Sequence, residues 1–185
     1  MLSPIDRAVQ LAVTAHQGQR RKGKDMPYIT HPVSVALTLA TAGCSEEVVI
    51  AGLLHDTLED TEVRAEHIEE EFGPQVLAIV KSCTEDKRLT WWERKRHTVD
   101  SLPREPLAVK LVVAADKLQN VRELRADYAE IGDALWDRFR AGKEEQAWYY
   151  QSIVKALKPE IEAGVYPTIF DVLAEEVYGL FGPGD

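Results

Sequence analysis

The sequence predicts an all-α protein, and three observations lead to this prediction. Apolar residues recur at helical spacing along most of the chain, many segments begin at capping residues or proline and end at glycine, and β-strand alternation is not convincing anywhere. The length of 185 residues fits one domain. We therefore predict a helical bundle of about eight to ten helices, formed as one domain by residues 1–181 and followed by a frayed tail at residues 182–185.

Capping residues, prolines and glycines set the predicted helix limits in the first half of the chain. Ser3, Pro4 and Asp6 supply an N-cap, a proline at the first helical position and an acid in the first turn. Thr30 and Ser45 are predicted to cap the second and third helices. These signals predict a polar loop at residues 19–28 and helices that run from residue 4 to near 18, from 30 to 43, from 45 to about 58, from 66 to 72, and from 74 to 80.

The second half of the chain contains one ambiguous segment. The run from Val109 to Val113 is rich in β-branched residues, but its apolar spacing continues as a helix past Asp116, so we predict one long helix that begins at Pro106. The other helices of this half are predicted at residues 91–102, 134–141, 143–161 and 170–181.

The composition excludes several classes of protein. Hydrophobic residues make up 45% and charged residues 29%, which is typical of a soluble globular chain. No apolar run reaches the ~20 residues that span a bilayer, and the N-terminus lacks the pattern of a secretory signal. Cys44 and Cys83 are too few for a disulfide scaffold, and we interpret them as buried small residues. We therefore predict a cytoplasmic protein without a membrane partner.

The charge distribution predicts the kind of ligand. A net charge of −9 argues against nucleic acid as a partner. Acidic residues exceed basic ones by nine within residues 44–80, whereas basic residues are in excess in both flanking stretches. The acidic stretch can hold a metal, and the basic flanks can hold a substrate that carries phosphate.

The most informative segment runs from Leu53 to Asp60 and reads LLHDTLED. If this segment is one helix, His55, Asp56, Glu59 and Asp60 lie within an arc of about 140°. Crowded buried carboxylates cost several kcal/mol each unless a cation or hydrogen bonds compensate them. The segment therefore predicts a divalent metal.

Two further residues stand at similar places. His31 lies at the head of a predicted helix, and Asp116 follows an apolar helical stretch. The resulting set of His31, His55, Asp56 and Asp116 offers two imidazoles and two carboxylates, which suit Mn²⁺, Fe²⁺, Co²⁺ or Zn²⁺ better than Mg²⁺. It contains no thiolate, which excludes a structural zinc site of the cysteine type.

The order H…HD…D resembles the signature of the HD phosphohydrolase superfamily. The surrounding residues resemble the hydrolase domain of RelA/SpoT-type enzymes, and most of all the stand-alone small alarmone hydrolases. The segments that carry this resemblance cover residues 19–120 and read QRRK, PYITHP, LLHDTLED, TEDK, ERKR and ADKLQN.

The resemblance implies an HD domain that hydrolyses the 3′-pyrophosphate of ppGpp or pppGpp to give GDP or GTP and pyrophosphate. The four residues named above would bind one Mn²⁺, and Glu59 and Asp60 match the family's catalytic pair. The implied substrate contacts are Arg21 and Lys22 beside the base and phosphates, Asn120 at the sugar, and Lys87, Lys95 and Arg96 at phosphates. Tyr28 is either a packing residue or a further substrate contact.

Three alternatives stay open. Small hydrolases with the same fold and metal can also resemble enzymes that act on ppApp or on the 2′-phosphate of NADPH. The loop beside Arg21 and Lys22 varies in length within the family, which leaves the base preference open. A non-catalytic nucleotide-binding protein would need a broken site, whereas every ligand is present here. The sequence leaves open whether the chain forms a homo-oligomer. We interpret His16, His67 and His97 as surface or structural residues, and the tryptophans and tyrosines at 91–92 and 148–150 as core or interface aromatics.

Overall fold

The structure is a computed structural model that describes residues 2–159 and 167–183. Within these ranges the regular structure is helical, and the only β-type pairing is an isolated antiparallel bridge between Arg20 and Pro27, so the all-α prediction is confirmed. The α-helices are α1 (Pro4–Ala15), α2 (Thr30–Thr41), α3 (Glu46–Leu54), α4 (Thr57–Asp60), α5 (Ala65–Phe72), α6 (Pro74–Cys83), α7 (Trp91–Ser101), α8 (Leu107–Ile131), α9 (Lys143–Ala156) and α10 (Pro167–Phe181).

The described residues group into two compact units. The first unit contains α1 to α6 and the beginning of α8 up to Asp116. The second unit contains α7, the remainder of α8 from Lys117, α9 and α10. None of the helices in the described ranges combines the length and apolar character needed to cross a bilayer. The single domain over residues 1–181 stays a prediction.

Helix α3 is the centre of the first unit. All of its residues from Val48 to Leu54 are buried, and it packs against α1, α2 and α6. A helix that is apolar on every side is stable only when neighbours cover it fully. Gly52 allows close packing, because a Cβ at this position would lie 2.5 Å from Cδ1 of Leu39 on α2. The apolar helix is thus enclosed, and its C-terminal end carries the HD pair.

Several predicted helix limits are confirmed. Ser3 and Asp6 form a capping box at the start of α1. Gly43 and Gly73 follow the ends of α2 and α5 with φ of 75° and 88°, values that suit glycine. The β-branched run at residues 109–113 is helical, as predicted.

Thr30 was predicted to be an N-cap, and this prediction is wrong. Thr30 is the first residue of α2, and the N-cap is Ile29, which makes no side-chain capping bond. The Thr30 hydroxyl instead donates to the carbonyl of Pro27 at 2.8 Å. The hydroxyl therefore donates to the preceding turn, whereas an N-cap side chain would accept a hydrogen bond from a main-chain N–H of the first helical turn.

The helix predicted from residue 45 to about 58 is interrupted. It ends at Leu54, and residues 57–60 form the separate turn α4. The Thr57 hydroxyl donates to the Leu54 carbonyl at 2.7 Å, and Nδ1 of His55 bonds the Gly52 carbonyl at 2.8 Å. Because side chains take up carbonyls near the end of α3, the helix is interrupted at residues 55–56.

The second unit contains the remaining departures. The helix predicted at 134–141 is a 3₁₀ segment over Gly132–Arg138, anchored by an ion pair of 3.0 Å between Arg138 and Asp127 and by buried Leu135 and Trp136. Helix α9 ends at Ala156, and the end predicted at residue 161 lies outside the described residues.

The predicted aromatic and tail residues have mixed surroundings. Tyr149 and Tyr150 are buried as core residues, whereas Trp92 is 45% exposed and packs against Trp91 and Trp148. In the predicted tail, the Gly182 carbonyl accepts a hydrogen bond of 3.0 Å from Gln151, while residues 184–185 lie outside the described ranges.

Candidate metal centre and catalytic pair

The structure brings the four predicted metal ligands together in the first unit. His31 lies in the first turn of α2, His55 and Asp56 directly follow α3, and Asp116 lies in α8. Nε2 of His31 is 3.1 Å from Oδ1 of Asp116 and 3.9 Å from Oδ2 of Asp56. Nε2 of His55 is 3.0 Å from the same Asp56 oxygen and 3.8 Å from the same Asp116 oxygen. Each imidazole therefore faces both carboxylates.

These distances fit a shared cation. Nitrogen and oxygen ligands at about 2.0–2.2 Å from one ion lie roughly 3–4 Å from each other, and the four measured distances are 3.0, 3.1, 3.8 and 3.9 Å. Ligand atoms of His31, His55 and Asp116 all lie within 4.8 Å of one another. Two imidazoles with two carboxylates match the donors preferred by first-row divalent metals. The residues present therefore fit a divalent metal ion.

The orientation of His55 suits a metal ligand. Its Nδ1 bonds the Gly52 carbonyl, an acceptor, so the Nδ1 hydrogen is donated and the neutral ring keeps a lone pair on Nε2. Nε2 is buried and has no hydrogen bond of good geometry within the described residues. The hydrogen bond from Nδ1 to the main chain thus leaves Nε2 available to bind a cation.

The local electrostatics favour positive charge at this point. Burial opposes protonation of His55, but the carboxylates of Asp56 and Asp116 outweigh it and raise the His55 pKa to about 9. Burial likewise opposes ionisation of Asp56, but the charged His55 holds the pKa of this carboxyl well below its ordinary value. A metal ion supplies the same compensating charge and displaces the proton.

Tyr28 contacts a ligand residue directly. Its hydroxyl donates a hydrogen bond of 2.5 Å to Oδ2 of Asp56. Burial, together with the Asp56 carboxylate, raises the Tyr28 pKa far above its ordinary value, so the phenol stays protonated and continues to donate. The structure therefore gives Tyr28 a contact with a candidate metal ligand, and its contact with substrate stays a prediction.

The predicted catalytic pair lies on α4, one turn beyond Asp56. Glu59 is half-buried, and its Oε2 accepts a hydrogen bond of 3.0 Å from the Glu85 main-chain N–H. Burial raises the Glu59 pKa, although that hydrogen bond works in the opposite direction. Asp60 is also half-buried, and its main-chain carbonyl accepts a hydrogen bond of 2.8 Å from Nε2 of Gln19.

The predicted substrate contacts are divided between the two units. In the first unit the Arg21 guanidinium lies 5.4 Å from the centre of the Tyr28 ring, and Lys22 is exposed. In the second unit, the Lys95 ammonium lies 4.9 Å from the centre of the Tyr149 ring. The assignment of these residues to substrate binding stays a prediction, as it does for Lys87, Arg96 and Asn120.

The sequence did not reveal the contacts of His16 and Gln19, which lie beside the predicted catalytic pair. His16 is 3% exposed and bonds Gln19, and its ring centre lies 4.9 Å from that of Tyr28, so only the structural half of our surface-or-structural interpretation is correct. A polar pair three residues apart at the end of a helix is a common pattern, and only the long-range bond to Asp60 distinguishes this one. His67 is a surface residue and bonds Glu71.

The chain is similar to a known protein family and to several named proteins. Residues 8–145 match the HD domain family. A mouse protein named guanosine-3′,5′-bis(diphosphate) 3′-pyrophosphohydrolase MESH1 is 45% identical over 120 residues, which are 63% of this chain and 67% of the relative. The protein of the same name from Drosophila melanogaster is 38% identical over 122 residues, which are 64% of this chain and 68% of the relative.

A solved structure extends the similarity to nearly the whole chain. It is described as a metazoan ortholog of SpoT that hydrolyzes ppGpp and plays a role in starvation responses. It has a TM-score of 0.79 and 28% sequence identity, and the match covers 97% of this chain and 96% of the other.

Proposed function

Because this chain belongs to the HD domain family, we propose that it is a metal-dependent hydrolase that removes the 3′-pyrophosphate of ppGpp or pppGpp. The observation that carries the proposal is the buried cluster of His31, His55 and Asp116, with Asp56 at 3.0 Å from His55 and the acidic pair on the next turn. The names of the relatives support the choice of substrate.

We assign the metal to the four clustered residues, with Mn²⁺ as the proposed ion. A divalent cation bound there would polarise a phosphoryl oxygen and favour ionisation of water. Tyr28 would keep the Asp56 carboxylate oriented through its hydroxyl. Gly52 would orient His55 in the same way through its carbonyl.

We assign proton transfer during bond cleavage to Glu59 and Asp60. In the proposed reaction a water oxygen bonds to phosphorus, the bond from phosphorus to the ribose 3′ oxygen breaks, and that oxygen receives a proton. We assign the removal and return of the proton to the two carboxylates jointly. Glu59 is suited to this exchange because burial brings its pKa closer to neutral pH.

Substrate binding is assigned to the basic residues and one amide. We propose that Arg21 and Lys22 lie beside the base and phosphates, that Asn120 contacts the sugar, and that Lys87, Lys95 and Arg96 contact phosphates.

We place the activity in the cytoplasm, a location supported by the free thiols of Cys44 and Cys83. Both cysteines are half-buried rather than buried.

The proposal is tested by a substrate panel. Purified protein with Mn²⁺ is incubated separately with ppGpp, ppApp and NADPH, and the products are separated by ion-exchange chromatography. We expect GDP and pyrophosphate from ppGpp. The control is a mock purification from cells that do not express the protein, which reveals contaminating phosphatases.

Other products would overturn the proposed substrate in defined ways. Faster hydrolysis of ppApp would retain the reaction and change the base. If NADPH is the one substrate that loses phosphate, the assigned activity would change from a pyrophosphohydrolase to a phosphatase. Absence of product from all three would contradict catalysis on these nucleotides and favour a nucleotide-binding protein.

A further inference from the structure

A short segment after α1 contacts both ends of α4. This segment, residues 16–28, contributes the Tyr28 hydroxyl to the Asp56 carboxylate and the Gln19 amide to the Asp60 carbonyl. Its two contacting residues are joined to each other, because the Tyr28 main-chain N–H donates to the Gln19 carbonyl at 2.9 Å. The segment therefore fixes the two acidic residues that begin and end the turn.

The turn needs such support. Helix α4 has only four residues, and the Asp60 N–H donates to the Asp56 carbonyl at 2.9 Å. A single helical turn is unstable alone, since nucleation costs more free energy than one hydrogen bond returns. The position of the Asp60 main chain therefore depends on contacts from outside the turn, of which the Gln19 bond spans 41 residues of sequence.

His16 fixes which way the Gln19 amide points. The Gln19 NH₂ group donates to the Asp60 carbonyl, so its Oε1 must be the atom that faces Nδ1 of His16 at 2.8 Å. An amide oxygen only accepts, and His16 therefore donates from Nδ1. With His16 donating from Nδ1, a reversed amide would place oxygen against the Asp60 carbonyl and NH₂ against a donor, so this tautomer favours the orientation in which Gln19 donates to Asp60.

We propose that Gln19 is a positioning residue for Asp60 and that His16 orients Gln19 for this role. The inference rests on the proposed catalytic function of Asp60. Neither residue touches the metal ligands in this arrangement, since Gln19 acts through the Asp60 main chain. The proposal therefore separates turnover from metal binding.

The test compares Gln19→Leu with Gln17→Leu, the same substitution at an exposed position two residues earlier. With Mn²⁺ and ppGpp, we expect Gln19→Leu to lower kcat by about 10²-fold, the cost of misplacing a catalytic group by ~1 Å. KM and the Mn²⁺ dissociation constant, the latter measured by titration calorimetry, should change by less than about threefold. Gln17→Leu should match the wild type in all three.

Gln19→Glu gives a second route that keeps the shape of the side chain. It replaces the donor at Asp60 by an oxygen, so we expect a loss of kcat at least as large as with Gln19→Leu. Gln17→Glu controls for the added charge. Equal kcat for Gln19→Glu and the wild type would overturn the proposal, as would a parallel loss of Mn²⁺ affinity and kcat.

The role of His16 is tested by rescue. An asparagine places its amide nitrogen close to the position of Nδ1, so His16→Asn keeps the donor while His16→Leu removes it. We expect His16→Asn to retain most of the wild-type kcat and His16→Leu to lose as much as Gln19→Leu. The double variant His16→Leu, Gln19→Leu should be no worse than either single change, because both break one chain of bonds. Additive losses would contradict this coupling.

A readout without turnover separates the two hypotheses. Absence of ppGpp hydrolysis by the wild type would overturn the proposed function alone. Amide hydrogen exchange of residues 57–61 in the metal-loaded protein then still tests the positioning. We expect faster exchange in Gln19→Leu than in Gln17→Leu, and equal exchange in the two variants would show that Gln19 does not hold this turn.

Discussion

The Tyr28 hydroxyl lies 2.5 Å from Oδ2 of Asp56, the oxygen that also lies 3.0 Å from Nε2 of His55. One carboxylate oxygen is thus shared by a phenol and by the candidate metal centre. Hydrogen bonds of this kind orient a ligand and adjust its basicity. We therefore expect the hydroxyl of Tyr28, rather than its ring, to affect metal binding.

We predict that Tyr28→Phe weakens Mn²⁺ binding by about 10–100-fold, the usual effect of removing a hydrogen bond to a ligand. Titration calorimetry measures the dissociation constant, and Tyr178→Phe, at an exposed tyrosine, is the matched control. An increase in KM for ppGpp with unchanged Mn²⁺ affinity would instead identify Tyr28 as a substrate contact.

The double variant Glu59→Gln, Asp60→Asn should remain folded and keep its metal while kcat falls by at least about 10²-fold, because proton transfer is removed. Metal analysis, circular dichroism and the pyrophosphate assay together check this outcome. Glu70→Gln, at an exposed position on α5, provides the control. Hydrolysis by the double variant at the wild-type rate would show that the assigned mechanism is wrong.

Asp116→Ala should lose the metal, since the change removes a carboxylate that faces both imidazoles at 3.1 and 3.8 Å. Elemental analysis after gel filtration measures the bound Mn²⁺, and Asp100→Ala, at an exposed position on α7, is compared with it. A full equivalent of metal in Asp116→Ala would remove Asp116 from the ligand set.

Glu59→Gln should stabilise the metal-free protein at neutral pH. Burial raises the folded-state pKa of Glu59, so its charged form is less favourable in the folded than in the unfolded state. The charged Glu59 therefore lowers the stability of the folded protein above the folded-state pKa, and this effect disappears as the pH falls below 4.5, the ordinary pKa of glutamate. Urea unfolding is measured between about pH 4 and pH 8. We expect Glu59→Gln to increase the free energy of unfolding more than Glu70→Gln does, and this difference should decrease as the pH falls. A gain independent of pH would contradict this explanation.

The sequence predicted most helix limits because they depend on local signals. Ser3, Pro74 and Gly73 act through neighbouring main-chain groups, and their effects survive in the structure. The interruption after Leu54 was not predicted, because apolar periodicity does not reveal that Thr57 and His55 take the carbonyls of α3.

The candidate site was only partly predictable for a similar reason. The four clustered residues carry a motif with characteristic spacing, so the sequence indicated them together. Gln19 lies in the QRRK segment, but that segment does not indicate its role, since its importance comes from one bond to a carbonyl 41 residues away. A main-chain acceptor has no side-chain identity, and a sequence pattern therefore cannot indicate it.

Gly52 meets two structural requirements at one position. Its missing Cβ leaves room for Leu39, and its carbonyl accepts the His55 hydrogen bond. A larger residue would push α2 away or shift that carbonyl, and the imidazole would turn with it. A side chain at position 52 therefore requires the residue at position 39 to shift or to become shorter. Among descendants of one ancestor, the two positions should change together.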